Sequence, residues 1–142
     1  MKTMLAVVCS SLLIGILAHA QSPQKPTPYK VVFDLTSDDP LDHTAVLRWL
    51  REVAAVNPET EMEVVMYGRG LSLVLPAKST MIEDVKAAIA RPHVSFKACE
   101  IAMKNQKVDK SQMLPEVSTV PDGIGEIVAK QTHGWGYIKV MH

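Results

Sequence analysis

Residues 29–42 read "YKVVFDLTSDDPLD", and the change of character inside this stretch decides the fold. "YKVVFDLT" (29–36) is rich in β-branched and apolar residues with no helical period, which suits a strand buried on both faces. The next six residues are a helix start. Asp39 can cap, Pro40 fits the first helical position where its missing N–H costs nothing, and Asp42 favours the positive end of the helix dipole. Leu41, Ala45, Trp49, Leu50, Val53 and Ala54 then recur at helical spacing, and Asn57-Pro58 stops the helix.

The same alternation continues outward. "EMEVVMYG" (61–68) is a second strand, closed by the turn Gly68-Arg69-Gly70. "LSLVLPA" (71–77) fits either a short strand or a loop packed on the core. Ser79 or Thr80 can cap a helix running to about Arg91, with Met81, Ile82, Val85, Ala88 and Ile89 inward and Pro92 beyond its end. "VSFKA" (94–98) is a third strand, and "CEIAMKNQ" (99–106) turns helical at once. A polar connection and a short strand at 117–120 precede a helix marked by Ile124, Ile127, Val128 and Gln131, and "GWGYIKV" (134–140) closes the chain as a strand. Strands alternating with helices predict a mainly parallel sheet of about five strands in a three-layer α/β/α domain. In such sheets chemistry gathers at the carboxyl ends of the strands, near a topological switch point. That rule selects 36–40, Gly68 to Gly70, and Cys99.

The N-terminal segment has a different character. Lys2, the apolar run from Leu5 to Leu17 and the small-x-small site Ala18-His19-Ala20 have the form of a cleavable signal peptide over residues 1–20, which predicts export, with the periplasm as the destination. The apolar run is shorter than the ~20 residues needed to cross a bilayer. Residues 21–28, "QSPQKPTP", form a proline-rich polar leader. The remaining 29–142 is the size of one ordinary domain. The chain carries 15 basic and 15 acidic residues without long charge runs, so it lacks the electrostatic footprint of a nucleic-acid binder.

Two cysteines are present, and Cys9 leaves with the signal peptide. Cys99 is then the single cysteine of an exported chain, a pattern that indicates either a reactive thiol or an intermolecular bond. It lies between a strand and a helix, where the helix N-terminus favours thiolate, the nucleophilic form. A buried, inert cysteine acting as a small hydrophobe is the competing reading. Arg69, on the turn after the second strand, is a candidate for stabilising an anion, and His43, in the first turn of the first helix, for an accessory base. The glycines around Arg69 could cradle an anion with their N–H groups, or simply make a tight turn. No histidine or cysteine spacing matches a metal site, so neither metal nor cofactor is expected. The methionines fit core packing better than metal binding.

Taken together, "KVVFDLT" (30–36), "EVVMYGRGLSLVL" (63–75), "HVSFKACEIAMK" (93–104) and "VPDGIGEIVAKQTHGWGYIKV" (120–140), in that order, resemble the DsrE/DsrF-like family of small sulfur-relay proteins. The resemblance implies a homo-oligomer, trimeric or hexameric, and implies that Cys99 corresponds to the cysteine that accepts sulfur as a persulfide. The signal peptide departs from the cytoplasmic relays. The expectation is an exported protein handling sulfur or exchanging thiols through Cys99, with sulfur donor and acceptor left open. The alternative is a non-enzymatic oligomeric module that binds a small anion or metal at the strand rim.

Overall fold

The computed structural model describes residues 27–142, so the segment expected to be a signal peptide and most of the proline-rich leader lie outside the described residues. The chain order is β1 (Lys30–Leu35), α1 (Pro40–Val56), β2 (Glu61–Met66), a 3-10 turn (Gly68–Val74), α2 (Ile82–Ile89), β3 (Val94–Cys99), α3 (Glu100–Gln106), a short 3-10 turn (Lys110–Gln112), β4 (Ser118–Val120), α4 (Gly123–Thr132) and β5 (Gly136–Lys139). All strand pairings are parallel, in the order β4-β3-β2-β1-β5. This is the expected three-layer α/β/α domain.

The strand order dictates which helix covers which face. From β1 to β4 each crossover steps the same way across the sheet, whereas β4 to β5 steps back past three strands. With right-handed crossovers, α1, α2 and α3 fall on one face and α4 on the other. The core divides accordingly. Val31, Phe33 and Leu35 of β1 pack with Val46, Leu50, Val85 and Ala102 of the first three helices. Val32 and Val65 point the opposite way and meet Ile127 of α4, flanked by Tyr67 and Trp135. The single-helix face is also the polar one. It carries Glu63, buried with 2% exposure, which accepts from Lys130 of α4 at 2.9 Å and from Ser95 of β3 at 3.2 Å.

Local chemistry explains the element ends. Asp39 caps α1 by accepting the Leu41 N–H at 2.8 Å, with Pro40 at the first helical position. The stripe on α1 is rotated from the expected one: Leu41 is exposed, while Asp42 and His43 are buried. Asp42 turns inward because its carboxylate accepts the backbone N–H of His142 at 2.8 Å. α2 starts later than expected, at Ile82, and neither Ser79 nor Thr80 is its cap residue; Ser79 instead accepts the Met81 N–H at 3.1 Å. The ambiguous segment after β2 is neither strand nor loop but a 3-10 turn that buries Leu71, Leu73 and Val74.

Gly70 is the reason for that turn. A Cβ there would lie 2.1 Å from the Leu35 carbonyl oxygen, so only glycine lets this turn rest against the end of β1. Its N–H meets the carbonyls of Thr36 and Tyr67, each at 3.1 Å. The N–H of Gly70 is thereby engaged within the fold, and the tight-turn reading of the glycines holds there over the anion cradle.

Candidate functional site

β3 and β4 are neighbours whose carboxyl-end connections leave on opposite faces, β3 into α3 and β4 into α4. That is the topological switch point of this sheet, the place where open α/β sheets hold their ligands. Cys99 is the last residue of β3, in register with Val120, the last residue of β4. It is 4% exposed. Cys99 belongs to the wall of a cleft of about 590 Å³ that runs between α3 and α4, with Tyr67 and Arg69 from the segment after β2 on a further side.

The group that addresses the sulfur differs from the expected one. Cys99 is the residue that precedes α3, but its side chain makes no capping bond to that helix. The N–H of Gly123, the first residue of α4, donates to Cys99 Sγ at 3.2 Å. α4 is the better placed helix because Asp122 caps it, accepting from Ile124 at 3.0 Å and Gly125 at 3.1 Å, which leaves the Gly123 N–H to turn to the sulfur. Glycine at 123 gives this approach its room. A Cβ there would stand 3.2 Å from Cys99 Cβ and 3.3 Å from both the Tyr67 ring and Val65. Glu100, next to Cys99 in sequence, accepts from Thr119 at 2.7 Å on the neighbouring strand.

Arg69 shares the cleft with Cys99 but is committed elsewhere. Its Nε pairs with Asp38 at 3.0 Å and its side chain is 76% exposed, so it is a rim charge on a flexible arm. His43 is not brought to the sulfur. Its ring is buried, Nε2 lies 3.0 Å from the Ser37 carbonyl, and it borders a separate depression with Ser72, Ser79 and Met81. The separation has a simple cause: α1 follows β1, which lies two strands away from β3 in the sheet. Among the described residues no three His, Cys, Asp or Glu side chains come together to hold a metal ion, and no helix is long and apolar enough to cross a membrane.

The structure adds a cluster that sequence reasoning missed. Asp34, buried near the end of β1, accepts the hydroxyl of Tyr137 at 2.7 Å and of Tyr67 at 3.2 Å, and pairs with Lys139 at 3.2 Å. Lys139 also donates to Thr36 at 2.7 Å. Burial, with the charge of Asp34 added, pushes the Tyr67 phenol up to about 12. For Tyr137 the hydrogen bond to Asp34 is the leading cause and burial the second, again to about 12. Both phenols therefore stay protonated as donors at any physiological pH. This network fixes the Tyr67 ring, and that ring backs the Gly123 turn that faces Cys99. The only local hint in the sequence was a lone acidic residue inside an apolar strand, since its partners lie up to about 105 residues away.

Among the described residues the domain is a parallel α/β/α sheet with its one cysteine at the switch point and no metal-ligand cluster. The DsrE/DsrF-like family model matches residues 30–140, and the chain belongs to that family. Two solved structures are similar. One is a protein of unknown function from Methanobacterium thermoautotrophicum, 31% identical, with a TM-score of 0.74, covering 78% of this chain and 98% of that one. The other is a conserved protein of unknown function from Bacteroides thetaiotaomicron, 13% identical, with a TM-score of 0.65 over 78% of this chain and 94% of that one. No curated protein matches the chain.

Proposed function

We propose that this protein carries sulfur, or exchanges thiols, through Cys99. Family membership points to a sulfur-relay type of role. The observation that supports the finer reading is the Gly123 N–H aimed at Cys99 Sγ at the wall of an open cleft. The N–H is placed to hydrogen-bond the sulfur when it attacks as thiolate, the nucleophilic form. Loading is thiolate attack on the outer sulfur of a persulfide or polysulfide. A bond forms between Sγ and that sulfur, the donor's S–S bond breaks, and the donor leaves as its thiolate. Unloading is the reverse, with an acceptor thiolate attacking the outer sulfur and Cys99 leaving. Arg69 stands on the rim, where swinging from Asp38 would let it meet an incoming anion. Export, and a trimeric or hexameric assembly, belong to the same proposal.

Intact mass of the native protein after treatment with inorganic polysulfide tests it. The expected result is a gain of one sulfur atom that a reductant removes and that the Cys99→Ser variant never shows. A native Cys99 that takes up no sulfur, and is alkylated only after denaturation, would overturn the reading in favour of an inert core cysteine. N-terminal sequencing beginning at Gln21, and light scattering giving a multiple of the chain mass, are the expected results for export and assembly.

A further inference from the structure

The walls of the cleft narrow what can reach Cys99; this step rests on the sulfur-carrying reading above. The volume of about 590 Å³ lies in the range of small-molecule sites. Most of its polar side chains are already partnered: Arg69 with Asp38, Asp122 with the N–H groups opening α4, and Gln106 with the Gly68 carbonyl. What remains toward a ligand, apart from the Asn105 amide of α3, is apolar. Ile101 and Ala102 come from α3, Ile124 from α4 and the Tyr67 ring from the segment after β2. Ile101 and Ile124 are 53% and 59% exposed, so each helix presents open apolar surface along the approach to the sulfur. A multiply charged donor would lose hydration there, and the cation of the wall, Arg69, stands on the exposed rim and must first leave Asp38 to replace it.

We propose that the cleft binds a low-molecular-weight organic persulfide with an uncharged, apolar body, and that this is the form in which sulfur is delivered. The transfer balances without a further reagent: Cys99–S⁻ and R–S–SH give Cys99–S–SH and R–S⁻. One S–S bond breaks, one forms, and the proton stays on the transferred sulfur. The apolar body R lies against Ile101 and Ile124 while the outer sulfur meets Sγ near the Gly123 N–H.

The test uses alkyl methanethiosulfonates from methyl to hexyl, with rates on native protein divided by rates on free cysteine and read by intact mass. Each added methylene should raise this ratio by up to about fourfold, the gain from burying one CH₂. An Ile101→Ser/Ile124→Ser double variant alters only half-exposed side chains, and it should flatten the series while still taking sulfur from inorganic polysulfide. A flat series on the unaltered protein overturns the apolar-ligand proposal, as does a series that the double variant leaves unchanged. A folded protein bearing a persulfidated surface cysteine that loads Cys99 faster than hexyl persulfide overturns it too. Inorganic polysulfide on the same samples reads the parent proposal separately. Sulfur gain with a flat series removes the ligand class alone, whereas a steep series with sulfur gain from neither inorganic polysulfide nor hexyl persulfide removes sulfur carriage and supports the ligand class.

Discussion

Gly123 and Cys99 touch across the switch point of the sheet, the N–H of one on the sulfur of the other at 3.2 Å, and a side chain at 123 would press on Cys99, Tyr67 and Val65. Gly123→Ala introduces a methyl group 3.2 Å from Cys99 Cβ and 3.3 Å from Tyr67 and Val65. Overpacking of this kind costs about 1–3 kcal/mol, offset in part by the better helix propensity of alanine. The expected outcome is a net loss of about 1 kcal/mol in urea unfolding, together with slower alkylation of native Cys99 as α4 is pushed back.

Gly70→Ala should be far more damaging. The obstacle is the Leu35 carbonyl at 2.1 Å, which is backbone and cannot rotate away, so β1 or the 3-10 turn must move. A loss of more than about 3 kcal/mol is expected. Gly68→Ala, at a φ of +52° but with no atom nearer than 3.4 Å, should cost about 1 kcal/mol through backbone strain alone. Equal losses at the two positions would contradict this account of the turn.

The Asp34 cluster predicts a separable titration. Tyr67 and Tyr137 titrate near 12 rather than 10, so the folded state holds phenolic protons that the unfolded chain releases between those values. Their contribution to stability is complete below pH 10 and is lost as pH rises toward 12. In Asp34→Asn the Tyr137 value should fall further toward 10 than that of Tyr67, because its leading cause is the bond to Asp34, whereas burial leads for Tyr67. Tyrosinate absorbance in single Tyr→Phe backgrounds checks the order.

On the polar face, burial raises Glu63 above the ordinary 4.5, Lys130 opposes that rise, and Glu126 adds to it. A carboxyl raised on folding contributes stability that is complete below about pH 4.5 and is lost as pH climbs through its folded value. Lys130→Met leaves the buried carboxylate without its cation, a change that typically costs about 3–5 kcal/mol at neutral pH. The loss should shrink markedly at pH 4, where the carboxyl is protonated. Urea midpoints at the two pH values measure it, and a loss independent of pH would sink the assignment.

Much of the fold was legible because local rules agreed. β-branched runs, a capped proline start at Asp39-Pro40 and helical periods all point to the same parallel sheet. The 3-10 turn was not legible, since it is imposed by Leu35 pressing on Gly70 from another strand. Cys99 was found correctly at a strand end. Its hydrogen-bond donor was assigned to the helix that follows it in sequence, because only the β3-β4 adjacency brings Gly123 to it. That β1, and with it the helix of His43, lies two strands from β3 is likewise visible only in the strand order. Tyr67, Tyr137 and Lys139 carry no motif; their common partner, Asp34, exists only once β5 lies beside β1.

That last pairing has a consequence for how the chain is made. β5 hydrogen-bonds to β1, the first strand, and Tyr137 reaches Asp34 across 103 residues of sequence. During synthesis the growing chain can join β1, β2, β3 and β4 in succession, yet β1 remains an open edge with a carboxylate awaiting Lys139. Closure depends on Gly136 to Lys139. Until β5 has been made, the polypeptide is an unfinished sheet, available to whatever binds non-native chains and slow to commit, as proteins dominated by distant contacts are.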